Sequence, residues 1–197
     1  GAEPASVGRV LEPQTRLAFA ESEASSGLCL LGLGARIKAL GPARLSVYAV
    51  GLYGGRQDSA VVARDVEALK GPLRLVLIFA RSVSGSTIVD ALARVKVAPV
   101  VASNFREAMV EALGRKIAAG ETITFRCANL AATEVEVRIG DRADFTLKKV
   151  PGLAAALFGL YLGADPVSPA LVEDLRTKAH RAITERRPLG ASCSTSA

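Results

Sequence analysis

From Arg36 to Tyr53 the chain reads Arg-Ile-Lys-Ala-Leu-Gly-Pro-Ala-Arg-Leu-Ser-Val-Tyr-Ala-Val-Gly-Leu-Tyr, two extended arms folded back at Gly41-Pro42. Proline presets one turn dihedral and the glycine before it supplies the freedom that the reversal needs. The second arm, Leu45 to Tyr53, is too apolar to face water on both sides, so this part of a sheet is largely buried. The same hairpin nevertheless carries Arg36, Lys38 and Tyr48. An arginine sunk in such a surface needs an acceptor, because an unpaired buried charge is expensive.

Loop length decides what Arg36 faces. With a three-residue loop of Gly41, Pro42 and Ala43, Leu40 opposes Arg44 and Arg36 opposes Tyr48. Opposed residues of an antiparallel pair share a face, about 5 Å apart at Cβ. A two-residue loop would shift the pairing by one and separate them. The residues themselves leave both loops open, and they leave open a hairpin whose Arg36 and Lys38 are solvated ends of an edge strand. In the three-residue register a guanidinium and a phenol converge as donors to an anion, most naturally a carboxylate.

The chain has 197 residues, 50% of them apolar, which fits one domain with a large core or a lined cavity. Its longest apolar segment, Leu153 to Leu162, is well short of the roughly 18 residues a membrane span needs. The net charge of +6 is scattered in pairs such as Arg115-Lys116 and Lys148-Lys149, without an aromatic-interleaved basic stripe, so nucleic-acid binding is not expected. Cys29, Cys127 and Cys193 have no paired spacing, which argues against a disulfide framework and a zinc site; the first two are expected to be buried thiols. The single histidine, His180, excludes histidine clusters and triads. No cofactor is implied. The start at Gly1-Ala-Glu-Pro, without methionine, reads as a processed chain whose targeting segment is out of view.

Patterning predicts extended runs over Val7 to Leu11, Arg16 to Ala20 and Leu28 to Leu33 ahead of the hairpin. A helix is expected over Asp58 to Lys70, a strand over Leu73 to Phe79, and a helix over Ser84 to Val95 with Ile88, Ala91, Leu92 and Val95 on one side. A second helix is expected from a Ser103 cap to about Ala118. Strands over Thr122 to Cys127, Thr133 to Ile139 and Ala143 to Val150 follow, the last two joined at Gly140-Asp141. Leu153 to Leu162 is apolar nearly all round, hence an internal helix. Ser168-Pro169 starts a last helix to about Glu185. Residues 1–185 read as a single domain and 186–197 as a disordered polar tail. This order is α+β. Gly32-Leu-Gly34 is not a dinucleotide loop, since Ile37 stands where the third glycine would be.

Three pieces in order, Leu31-Gly-Leu-Gly-Ala-Arg36, Val47-Tyr-Ala-Val-Gly-Leu-Tyr53 and Ala156-Leu-Phe-Gly-Leu-Tyr-Leu-Gly-Ala-Asp-Pro-Val-Ser-Pro169, are similar to the chalcone isomerase family. The resemblance spans about residues 7–185 and implies an open-faced β-sandwich, a large antiparallel sheet with helices on one face and a cleft between. In the family's enzymes, which close a chalcone into a flavanone, the arginine resembling Arg36 lies near the anionic nucleophile. Their ketone-polarising threonine has become Tyr48. Their tyrosine falls at Ile88, their asparagine at Val95, their lysine near Phe79 and a late threonine or serine near Leu160. Polar donors have thus become apolar bulk, where conjugate addition needs preorganised dipoles at the developing enolate.

The resemblance therefore points to the family's non-catalytic fatty-acid-binding branch, found in plastids. It implies Arg36 and Tyr48 on the carboxylate and Ile88, Leu92, Val95 and Leu160 as cavity walls, with ordinary core packing the competing reading of each wall residue. Lys38, nearer the turn, is expected to be solvated. The alternatives are a chalcone isomerase and an auxiliary flavonoid-binding protein.

Overall fold

The computed structural model describes residues 8–23, 25–55, 58, 69–163 and 166–175. Two short strands, β1 (Arg9–Leu11) and β2 (Ala18–Ala20), pair with each other. The long hairpin follows as β3 (Cys29–Leu40) and β4 (Ala43–Gly54), then β5 (Leu73–Phe79). The helical section holds β6 (Val83–Ser84), α1 (Gly85–Leu92), α2 (Pro99–Leu113) and β7 (Lys116–Ile117), with β6 paired to β7. A meander of β8 (Thr122–Cys127), β9 (Glu134–Ile139) and β10 (Ala143–Lys148) precedes α3 (Leu153–Leu162) and a helical segment, α4, at 169–175.

The main sheet has six antiparallel strands in the order β10-β9-β8-β5-β4-β3. Alternation sorts its residues by face. Val50, Leu77, Phe125 and Val137 project inward and pack against Phe105 and Met109 of α2 and Leu157 and Phe158 of α3. The tilted rings of Phe105 and Phe125, 6.4 Å apart, tie α2 to β8. On the other face a smaller core of Phe19, Leu28, Leu33, Ala49, Tyr53 and Val76 sits under the β1–β2 hairpin. The Tyr53 hydroxyl donates to the Ala20 carbonyl there at 3.0 Å. This is the α+β open-faced sandwich expected.

Several element boundaries differ from the expectation, each for a local reason. The run from Leu28 does not stop at Leu33: β3 is continuous to Leu40, and Gly34 lies inside it because α4 packs there. A Cβ on Gly34 would stand 2.6 Å from Leu171 Cδ1, so only glycine lets the helix come this close. Ser103 does not cap α2. Pro99 opens that helix, where its fixed φ and missing N–H cost nothing, and Ser103 instead bonds Glu107 Oε1 at 2.9 Å one turn on. Ser84 does cap α1, accepting from the Thr87 backbone N–H at 3.3 Å. Cys127 is buried, as expected, and Cys29 only half-buried. Of the helix expected over Asp58 to Lys70, residues 59–68 lie outside the described residues; so do His180, Cys193 and the tail.

The loop at Gly41-Pro42 has two residues, since Leu40 pairs with Ala43. Gly41 takes φ +56°, which proline at the next position cannot. Positive then negative φ is the II′ pattern of tight hairpins. In that register Arg36 and Tyr48 should be out of step, yet they are paired. A bulge between Tyr48 and Ser46 restores the match: Arg36 opposes Tyr48, Ile37 opposes Ser46, and Val47 is the extra residue.

Candidate functional site

Beyond the bulge, where β5 ends, sheet and helices part around a cavity of about 370 Å³. The sheet side is Arg36 and Lys38 from β3, Val47 and Tyr48 from β4, and Leu77 and Phe79 from β5. The bulge brings the consecutive residues Val47 and Tyr48 to the same lining, which plain alternation would forbid. Across from them stand Ile88 and Leu92 of α1, with Arg94 just past its end. Tyr161 of α3 and Val167 close one side. The volume is in the range of roughly 300–1,000 Å³ typical of small-molecule sites.

Arg36, Tyr48 and Tyr161 form one polar cluster of the lining, and Thr87, Asp90 and Arg94 add polar groups from the α1 side. Arg36 and Tyr48 are half-buried, and Tyr161 is almost wholly buried. The Tyr48 ring leans on Phe79, centroids 5.5 Å apart, which holds the phenol at the cavity edge. Tyr48 and Tyr161 share a hydrogen bond. Burial pushes the Tyr48 phenol up from its ordinary 10.0, while the Tyr161 bond and the Arg36 charge pull it part of the way back. Burial, the Tyr48 charge and the same bond push Tyr161 well above 10.0, with Arg36 opposing them. Both phenols therefore stay protonated at neutral pH.

Among the described residues no carboxylate neutralises Arg36: none of the ion pairs includes it. Asp90, which also lines the cavity, is held by Arg106 at 3.0 Å. The described acids and cysteines form no group that could hold a metal ion.

The structure thus gathers Arg36, Tyr48, Ile88 and Leu92 around one cavity. Leu160 lines a neighbouring groove of about 610 Å³ along α3, together with Ala156 and Gly159. Val95 is buried in the main core. Tyr161 was not anticipated. Its signal is the residue after Leu160: one step along a helix turns a side chain by about 100°, so α3 aims position 161 at Tyr48. Lys38 is solvent-exposed and still borders the cavity mouth.

No protein-family model matches the chain, and no curated protein matches it. Solved structures do. Sheet order, helical layer and inter-layer cleft define the chalcone isomerase-like fold. The matching structures include the Arabidopsis thaliana fatty-acid binding protein AtFAP1, 20% identical, covering 90% of this chain and 100% of that one at a TM-score of 0.67. Among the described residues no helix is long and apolar enough to cross a membrane.

Proposed function

We propose that this protein binds fatty acids without transforming them, the carboxylate meeting Arg36 and Tyr48 and the acyl chain lying against Phe79, Ile88 and Leu92. The observation that carries this reading is Arg36 itself, a guanidinium at an apolar cavity with no carboxylate partner among the described residues. An incoming carboxylate would supply the acceptor that the fold withholds. The fold neighbour AtFAP1 is a fatty-acid binding protein, which supports the same ligand class.

Tyr161 completes the head-group site. Hydrogen-bonded to Tyr48, it would steady that phenol beside the carboxylate. The apolar walls supply the affinity. Each buried methylene contributes roughly 0.8 kcal/mol, so a dozen give about 10 kcal/mol, against several kcal/mol lost in ordering the ligand. The head group then sets orientation and selects acids. A plastid location would follow from the same branch of the family.

Calorimetric titration with laurate tests the assignment. Arg36→Ala should weaken binding by about 2–4 kcal/mol, the scale of a lost partly buried charge partner, and Tyr48→Phe by about 1 kcal/mol. Equal affinity in all three proteins would remove the head-group assignment. A chalcone substrate followed by absorbance should cyclise at the solution rate; faster turnover lost in Arg36→Ala would make the protein an isomerase.

A further inference from the structure

The β3–β4 hairpin outruns the sheet that carries it. β5 pairs with β4 only as far as Tyr48, and the Val47 carbonyl accepts from the Ala80 backbone N–H at 3.0 Å, so among the described residues 37–46 pair only with one another. The result is a two-stranded ribbon whose base carries Arg36 and Tyr48 at the cavity. Its tip reads Lys38-Ala-Leu-Gly-Pro-Ala-Arg44: five residues without a polar side chain, bracketed by two cations. Ala39, Gly41, Pro42 and Ala43 are exposed, as are Lys38 and Arg44. A hairpin tip standing in water ordinarily carries asparagine, aspartate or serine beside its glycine. Neither cation enters an ion pair among the described residues.

The register separates two kinds of partner. Lys38 opposes Leu45 and Ala39 opposes Arg44, so the two cations emerge on opposite faces of the ribbon. A partner lying flat on one face meets only one of them. A partner approached tip-first meets both, because they stand one residue step apart in depth, about 3.3 Å. A bilayer with anionic head groups is such a partner: the apolar tip enters the head-group layer and the cations stop at the phosphates.

We propose that residues 38–44 dock the protein tip-first on an anionic membrane surface, with the cavity mouth beside the lipid. Docking itself does not depend on the ligand; the further step, that acyl chains enter from the membrane, rests on the fatty-acid reading above.

The test is co-sedimentation with vesicles of phosphatidylcholine alone or with about 30% phosphatidylglycerol. The wild type should bind only the anionic vesicles, and the double variant Lys38→Glu, Arg44→Glu should lose at least about tenfold in partitioning. Leu40→Ser should lose severalfold on vesicles while keeping its retention on a heparin column, a polyanion without an apolar layer. No binding to anionic vesicles overturns the proposal. Unchanged vesicle binding by Leu40→Ser also overturns it, and assigns the ribbon to an acidic protein partner instead. Laurate titration separates this from the ligand reading: Arg44→Glu and Leu40→Ser should bind laurate as the wild type does. A wild type that bound no laurate would sink the ligand reading and leave the vesicle result standing.

Discussion

Two arginines of the main sheet meet opposite fates. Arg74, on the outer face of β5, is neutralised from within the chain by Glu23, which also accepts from the Ser26 hydroxyl at 2.8 Å. Its surroundings are hostile to its charge: burial first, then Arg126 and Arg138, pull its pKa below the ordinary arginine value, and its Nε finds no partner. Arg126 faces it directly across the β5–β8 pair. Arg36, on the inner face of β3, is given a phenol, apolar walls and no carboxylate among the described residues. On the proposed reading, the counter-ion provided for Arg74 marks a structural charge, and its absence at Arg36 among the described residues marks one kept for a ligand.

Removing each charge should therefore register in different experiments. The largest effect is on binding: Arg36→Ala loses about 2–4 kcal/mol of laurate affinity, yet its thermal midpoint should stay level or rise, because an uncompensated charge leaves the cleft. A fall in stability comparable to the affinity loss would make Arg36 structural and erase the contrast. Next, Glu23→Gln should cost about 1–3 kcal/mol in denaturant unfolding, since Arg74 is then stranded beside two other guanidiniums, while laurate binding is unchanged. Arg74→Met alone should cost a similar amount, because Glu23 is then stranded, whereas the double variant Glu23→Gln, Arg74→Met should fall within about 1 kcal/mol of wild type.

The smallest effect is spectroscopic. Burial lifts Tyr53 from 10.0 to about 12, and Tyr48 and Tyr161 are raised as well, which accounts for all three tyrosines of the chain. The folded protein holds these protons more tightly than the unfolded chain. Stability is therefore intact below pH 10.0 and declines as pH climbs towards 12, where Tyr53 ionises. Ultraviolet titration should show no phenolate at pH 10 in the native protein and a midpoint near 10 in denaturant. A native tyrosine ionising near 10 would expose one of these phenols to solvent and weaken the contrast between a sheltered head-group site and an open surface.

The hairpin that carries the site was legible because Gly-Pro between apolar arms has few other uses. The Arg36–Tyr48 pair was legible too, although by a different route: a two-residue turn and a bulge at Val47 reach the register that a three-residue loop would have given. Nothing in Leu45-Ser-Val-Tyr48 announces that bulge, because a bulge without glycine has no composition of its own. The all-apolar α3 was readable as internal, but not its rotation. Apolar residues on every side leave no stripe to set an angle, so Leu160 and Tyr161 could not be told apart. The start of α2 was misplaced because Ser103 is a good cap residue in the wrong place, the fifth residue of a helix that Pro99 had already opened after Ala98.

Everything distinctive about the cavity comes down to whether Arg36 reads a carboxylate. The direct measurement is a competition between laurate and dodecanol, equal in chain length and different in head group, in the wild type and in Arg36→Met. The wild type should prefer the acid by about 1.5–3 kcal/mol, the worth of a charge-assisted hydrogen bond, and the variant should bind the two alike. A preference for the acid that survives in Arg36→Met would place the carboxylate elsewhere and contradict the account.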